Sequence, residues 1–297
     1  MDRFETMCLF VRIVERRSFT LAATDLELPR STVTQVIKRL EARLGVRLLQ
    51  RTTRHVSPTL DGEAYHRRCM AILADVEDAE AAFLHAGPTG LLRVDVHGTL
   101  ARHFVLPALP DFLARYPGLR VHIGEGDRLV DLVREGVDCV LRVGELQDSG
   151  MVARRIAMLE EVTCASAGYL ERHGVPASPD DLDGHQAIGF VSTATGNILP
   201  LEFMVDGELQ YVSLPSVVTV TGSETNIALA RLGMGLIQVP LYHVASDFAA
   251  GTLVPVLPGF PPSSSPVSVM YPQNRQLSPR VRVFIDWAGP TLWLPQV

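Results

Sequence analysis

Between Arg30 and Arg39 the sequence gathers Arg30, Ser31, Thr32, Thr34, Gln35, Lys38 and Arg39 around an apolar set, Val33, Val36, Ile37, Leu40 and Leu44, spaced for one side of a helix. Guanidinium and ammonium donors, small hydroxyls and an amide leaving the first turns of a helix are the groups that meet phosphates and base edges in a DNA major groove. A solvated helix face would carry the same residue types, so the neighbouring residues decide. Arg47 to Val56 reads as a short hairpin holding Arg51, Thr52, Thr53, Arg54 and His55, which would touch phosphates or an adjacent minor groove. Charge follows the same division. Residues 1–60 carry eleven Arg and Lys against six Asp and Glu, although the chain as a whole has a net charge of −6. A basic end on an acidic body suits one small domain facing a polyanion while the rest does something else.

Other chemistries lack their residues. The nine histidines are dispersed, with His97 and His103 the closest pair, and Cys8, Cys69, Cys139 and Cys164 form no C-x-x-C pair. There is no G-x-S-x-G, G-x-x-x-x-G-K-[ST] or H-E-x-x-H pattern, and Gly124 to Asp127 lacks the third glycine of a dinucleotide fingerprint. The sequence therefore predicts no catalytic set, metal or cofactor. It also predicts neither a secretory signal nor a membrane span, and the expectation is a soluble, cytoplasmic protein. At 297 residues, 47% of them apolar, there is room for about two domains at ~150 residues each.

The basic end needs a scaffold, and its periodicity supplies three helices. Phe4, Met7, Cys8, Val11 and Val14 mark the first, ending near Arg16 and Arg17. Ser18 stands at the N-cap of the second, through Leu21, Ala22, Ala23 and Leu26, and Pro29 breaks it. Ser31 is expected to cap the third and Gly45 to close it. Three helices and a basic hairpin make a winged helix-turn-helix. From Leu60 to about His85 a long helix follows, with Thr59 as cap and Asp61 and Glu63 at its positive end. Tyr65, Cys69, Ile72, Val76, Ala79 and Phe83 form a heptad seam on a rod of roughly 37 Å. A second copy of the chain is the expected partner for that seam; packing onto the chain's own C-terminal domain is the alternative. Asp75, Glu77, Asp78 and Glu80 would then be solvated, and Cys69 would be a small apolar residue rather than a nucleophile. Ala86 to Gly90 is the hinge beyond it.

The remaining two hundred residues alternate strands and helices, which predicts a parallel sheet wrapped by crossovers. Strands are expected at Leu91–Val96, Leu119–Ile123, Cys139–Val143, Val152–Met158, Glu161–Ala165, Phe203–Val205, Gln210–Leu214, Val217–Val220, Leu236–Val239 and Val267–Tyr271. Helices are expected at Ala101–Tyr116, Leu129–Glu135, Glu224–Leu232 and from Ser278 to about Ala288. The pattern gives two α/β lobes linked by two crossing strands, with a cleft between them. In such lobes ligands sit beyond the carboxyl ends of strands. That rule selects Thr99, Leu100, Arg142, Gly144, Ser223, Glu224 and Thr225, with Phe190, Ser192 and Thr193 walling the cleft. Taken singly, Thr99 and Ser223 could equally be helix caps, and Arg142 a structural ion pair.

The run Ser18 to Ala23, S-F-T-L-A-A, together with the ungapped stretch Ser31 to Arg54, closely resembles the LysR-type transcriptional regulators. Pro58 departs from the family pattern, which usually has leucine before the threonine. Looser similarities, Asp148 to Ile156, Ala167 to Pro176 and Leu229 to Pro240, extend the resemblance to the family's effector domain, itself similar to periplasmic solute-binding proteins. The resemblance implies a regulator, not an enzyme, with a winged helix-turn-helix at 1–59, a linker helix at 60–88 and an effector-binding domain at 89–297. Lobe I would comprise about 89–161 and 267–297, lobe II about 162–266. It implies double-stranded DNA, a small-molecule effector and a second copy as partners, a tetramer of two dimers, and RNA polymerase as a further contact, with no membrane. Thr99 aligns with a hydroxyl residue that contacts ligand in the family. Asn197, in the segment Thr195 to Pro200, replaces an arginine common in the subgroup, which weakens a bidentate grip on a carboxylate and points to a small, neutral or weakly anionic, partly apolar effector. A stand-alone solute-binding protein would need an export signal and would have no use for the basic head.

Overall fold

The computed structural model describes residues 1–51, 56–84, 87–126, 132–144, 151–193, 195–272 and 277–292, without the side chains of residues 51, 77–84 and 133–134. Helix α1 (Arg3–Arg16) starts on a reciprocal capping box, in which Asp2 accepts from the Glu5 amide at 2.7 Å and Glu5 accepts from the Asp2 amide at 2.8 Å. Its buried face is Thr6, Leu9, Phe10, Val11 and Ile13, whereas Phe4 is exposed and Met7 and Val14 are half-buried. The expected stripe is thus rotated, because α1 is covered on two sides by helices that are not its neighbours in a simple hairpin. Ser18 caps α2 (Phe19–Asp25) as expected, and Arg16 clamps Asp25 through two hydrogen bonds of 2.6 and 3.0 Å. Helix α3 (Arg30–Leu44) is not capped by Ser31. Pro29 occupies the N-cap and offers no side-chain acceptor. Val33, Ile37 and Leu40 are buried, but Leu44 is 40% exposed at the last turn, where Gly45 at φ +72 turns the chain away.

Strands β1 (Leu49–Arg51) and β2 (Val56–Pro58) pair antiparallel, the hairpin tip lying outside the described residues. Glu41 holds this hairpin to α3 by accepting from the Leu48 and Leu49 amides at 2.9 and 3.0 Å. Helix α4 (Leu60–Leu84) follows directly, and the Thr59 hydroxyl both caps it and donates to the Arg47 carbonyl. Gly62 sits so close to the wing that a Cβ there would fall 1.9 Å from the Leu48 carbonyl oxygen. The head and the rod are therefore one packed unit.

Lobe I is built from β3 (Gly90–Val96), the short α5 (Gly98–Leu100), a π turn over Ala101–Val105, α6 (Leu106–Arg115), β4 (Leu119–Glu125), α7 (Leu132–Glu135), β5 (Cys139–Val143) and β6 (Met151–Leu159). The single helix expected over Ala101–Tyr116 thus contains a π turn. Lobe II contains β7 (Glu161–Ser166), α8 (Ala167–His173), a 3₁₀ turn over Pro179–Leu182, β8 (Gly189–Phe190), β9 (Leu201–Val205), β10 (Glu208–Val212), β11 (Thr219–Val220), α9 (Ser223–Arg231), β12 (Ile237–Pro240), α10 (Leu241–Ala250) and β13 (Leu253–Pro255). The chain returns to lobe I through β14 (Ser265–Pro272) and α11 (Pro279–Leu292).

The sheets are mixed rather than parallel. In the order β4-β3-β5-β14-β6, β3 runs parallel to β4 and β5, but β14 is antiparallel to β5 and β6 because it re-enters from the other lobe. In lobe II, β7 lies between β12 and β13, antiparallel to both. Asp206 and Gly207, both at positive φ, turn β9 into β10. The lobe I sheet and helices α6 and α11 enclose one core around Leu92, Val94, Phe112, Val267 and Phe284.

Lobe I also grips α4. Arg280 on α11, 1% exposed, donates to Asp138 Oδ1 at 3.2 Å and to the Ala74 carbonyl at 3.5 Å, while the second Asp138 oxygen accepts from the Arg93 amide at 2.8 Å. Removing one member of a buried ion pair leaves the other charge uncompensated. Asp138→Ala should accordingly cost about 3–5 kcal/mol in chemical denaturation, and simultaneous replacement of Arg280 by methionine should recover much of that loss.

Candidate functional site

Helix α3 carries its polar side chains outward because the apolar ones are fixed in the head core. Arg30, Ser31, Gln35, Lys38 and Arg39 are exposed, and Thr32 and Thr34 are half-buried. The first-turn amides of α3 have no side-chain cap, so the positive end of the helix opens on the same side as Ser31. Ser18, half-buried, is engaged in capping α2, with its hydroxyl accepting from the Leu21 amide at 3.3 Å. In the wing, Arg51 ends β1 opposite Val56, whereas Thr52, Thr53, Arg54 and His55 lie outside the described residues. The arrangement can present hydrogen-bond donors and acceptors to a groove and cations to phosphates.

The expected seam of α4 divides. Tyr65 and Cys69 pack into the core of the chain's own head, with the Tyr65 ring 5.2 Å from Phe10, edge to face. Burial pushes the Tyr65 phenol up to about 12 and the Cys69 thiol up to about 11, which removes Cys69 as a nucleophile. These two positions are corrected from intermolecular to intramolecular packing. Ile72 is 43% exposed and Val76 half-buried. The side chains of Ala79 and Phe83 lie outside the described residues, as do those of Glu77, Asp78 and Glu80.

The residues expected to form the cleft fare unequally. Thr99 does not cap a helix: its hydroxyl lies 2.7 Å from His97 Nδ1 and 2.9 Å from the Tyr242 hydroxyl. Since Thr99 belongs to lobe I and Tyr242 to α10, this bond joins the lobes. Leu100 is fully buried in the lobe I core and is corrected from ligand contact to core residue. The Arg142 guanidinium meets Asp95 at 2.5 Å and donates to two backbone carbonyls, so it is a structural ion pair rather than an open anion site. Gly144, at φ +97, donates its amide to the Pro266 carbonyl at 2.9 Å where lobe I receives its returning strand.

In lobe II, Phe190 ends β8, and Ser192 begins a tight loop in which its amide donates to the Asn197 carbonyl at 2.9 Å. Thr193 is exposed on that loop. Ser223 is the first residue of α9, behind Gly222 at the N-cap, and Thr225 is exposed. Glu224 reaches Arg102 of lobe I at 3.4 Å, and Arg102 also meets Glu125 at 3.2 Å. Arg102, Tyr242, His243 and Asn226 are junction or buried polar residues that the strand-end rule does not select. Asn226, 2% exposed, has an amide oxygen with no hydrogen-bond partner among the described residues. Tyr242 and His243 follow a strand that runs straight into a helix, and no local sequence signal marks the start of α10. Among the described residues no group of histidines, cysteines and carboxylates could hold a metal ion, and no helix is long and apolar enough to cross a membrane.

Residues 4–63 match the family model for the bacterial regulatory helix-turn-helix protein, lysR family, and residues 85–293 match that for the LysR substrate binding domain. The chain is 36% identical over 289 residues to the uncharacterized HTH-type transcriptional regulator YhjC of Escherichia coli, covering 97% of both. It is 38% identical over 289 residues to an HTH-type transcriptional repressor of Pseudomonas aeruginosa, covering 97% of this chain and 91% of that one. The solved structure of CrgA, a LysR-type transcriptional regulator from Neisseria meningitidis, aligns over 97% of this chain and 98% of its own, at 34% identity and a TM-score of 0.60.

The crossing between lobes carries a carboxyl, Glu161, at the start of β7. Burial pushes Glu161 up to about 8, with Glu202 adding to the rise and the Ser265 hydroxyl opposing it. A carboxyl raised in the folded state contributes stability that is present below its unfolded value and is lost as pH climbs through the folded one. Glu161→Gln should therefore gain in melting temperature over the parent as pH is raised from 4.5 to 8, read by thermal scans at matched ionic strength.

Proposed function

The chain belongs to the LysR family of DNA-binding transcriptional regulators, and we propose that it reads its operator through α3 and the β1–β2 wing while its two-lobed domain senses a small molecule. The observation that carries the DNA reading is the outward face of α3, all polar or cationic over Arg30 to Arg39, backed by Val33, Ile37 and Leu40 in the core. Arg30, Ser31, Thr32, Thr34, Gln35, Lys38 and Arg39 are the groove-facing set, with Ser18 at the adjoining turn and Arg51, Thr52, Thr53 and Arg54 on the wing. The domain limits are those of the sequence reading: head 1–59, linker 60–88, effector domain 89–297. The protein acts as a regulator rather than an enzyme, in the cytoplasm, where DNA and RNA polymerase are both at hand.

The effector site lies between the lobes, around Thr99, Gly144, Phe190, Ser192, Thr193, Ser223, Glu224 and Thr225. Two of the lobe I guanidiniums there are already matched: Arg142 by Asp95, and Arg102 by Glu125 and Glu224. Asn197 supplies no cation. That balance favours a small, neutral or weakly anionic, partly apolar effector over a dianion. Effector binding would alter the angle between lobes, and through α4 the angle between paired heads; a coupling of about 1–3 kcal/mol suffices to switch occupancy.

Dimerisation runs through the farther stretch of α4, with Ile72, Val76, Ala79 and Phe83 as its seam, and pairs of dimers form the tetramer. Fluorescence anisotropy of a labelled operator duplex against a scrambled one, at two salt concentrations, tests the reading. Binding indifferent to sequence and salt would overturn it. Gln35→Ala should relax base discrimination, by about 1–3 kcal/mol if its amide makes a bidentate contact. Arg51→Ala should instead weaken both duplexes alike and flatten the salt slope by about one unit. Phe83→Asp should sediment at lower mass than the parent and bind the operator more weakly, since the two heads then bind separately.

A further inference from the structure

The junction between the lobes holds a histidine in an unusual state. His243, the third residue of α10, is 6% exposed, and neither ring nitrogen has a hydrogen-bond partner among the described residues. A neutral imidazole carries one donor and one acceptor, so both are here withdrawn from water without compensation. Its ring lies 4.2 Å from that of Tyr242 and 5.9 Å from that of His103. Tyr242 is the residue that crosses into lobe I: it packs on the lobe I core, edge to face with His103 at 5.1 Å and Phe104 at 4.9 Å, and bonds Thr99. Thr99 in turn bonds His97. Three imidazoles, a phenol and a threonine hydroxyl thus form one cluster where the lobes meet.

From this geometry we infer that the cluster is a proton-operated latch, closed when His243 is neutral and released when a proton from solvent adds to its ring. Closure keeps His243 beneath Tyr242 and Tyr242 on Thr99; opening returns the imidazole to water, where it can be charged. Every nearby influence opposes charge on the closed form. Burial is the largest, and His103 and His97 add repulsion, so that the imidazole is pushed down to about 3. The amino end of α10 acts in the same sense. The carboxylates in the neighbourhood are already committed: Asp247, one turn along α10, to Arg231 at 2.7 Å, Glu125 and Glu224 to Arg102, and Asp95 to Arg142. Glu161 on β7 titrates with the opposite sign and is common to parent and variant, so a comparison between them removes it.

The sign follows from linkage. The open form binds the proton near the ordinary imidazole value of about 6.5, the closed form far lower, so the closed state is favoured above that value and loses ground as pH falls below it. One proton taken up on opening shifts the open-to-closed ratio by about tenfold between pH 7.5 and 5.5. This regulation rests on the two-lobed effector domain but needs neither operator nor effector.

Hydrogen exchange on the full-length protein provides the test, with amide rates corrected to an unstructured reference at each pH. Peptides over 98–105 and 241–246 should lose about tenfold protection between pH 7.5 and 5.5 in the parent, and His243→Leu and His243→Gln should lack that increment. Equal profiles in parent and variants would overturn the latch. Exchange at the imidazole carbon between the ring nitrogens, followed by mass spectrometry on the unaltered chain, should place the titration of His243 well below the ordinary imidazole value of about 6.5. An ordinary titration of His243 in the closed protein would overturn the latch even if both variants failed to fold. Neither result bears on DNA binding, so failure here leaves the regulator reading standing.

Discussion

Everything in this molecule depends on a single helix being packed at its start and again past its middle. At its start, α4 gives Tyr65 and Cys69 to the core that also holds Leu9, Phe10 and Ile37. Farther along, its Ala74 carbonyl accepts from Arg280, a fully buried guanidinium that also donates to Asp138 beside the central strands of lobe I. A rigid rod held by a hydrophobic core at one end and a buried charge past its middle cannot slide or roll without disturbing one of them. The same rod keeps Ile72 open to solvent, which leaves a second chain something to pack against.

Electrostatics divides the labour between the two halves. On the head, Arg30, Lys38 and Arg39 of α3 make no ion pair among the described residues and are exposed to a polyanion. In the effector domain the described cations around the cleft are matched within the protein, Arg142 with Asp95, Arg231 with Asp247, Arg102 with two glutamates. On the effector site proposed above, ligands would be resolved by hydroxyls, an amide and aromatic surface more than by charge, and burial favours the neutral forms of His243 and Glu161.

The head was readable because its chemistry is local. Ser18, Gly45 and Thr59 act where a cap or a left-handed turn is needed, and the α3 face follows from helical spacing alone. The rotated face of α1 was not readable, since Leu9, Phe10 and Ile13 are chosen by α3 and α4, whose contacts no window on α1 contains. The mixed order of the lobe I sheet has the same cause, because β14 joins it only after the chain has built all of lobe II. Helix α10 lacked a start signal, with Pro240 as N-cap and no hydroxyl or carboxylate to mark it. The Thr99–Tyr242 bond spans 143 positions, so the residue that joins the lobes carries no signature beside the residue it joins.

Gly62 turns this packing into a lever. With no room for even a methyl group between the start of α4 and the Leu48 carbonyl, the wing and the rod rotate as one body about the far joint at Arg280. From Gly62 to Ala74 the rod is about 18 Å long, so a tilt of about 5° moves its tip by roughly 1.6 Å, about half the rise of one base-pair step. An angular change too small to alter any contact within the head would then displace the wing along DNA by about half a base-pair step.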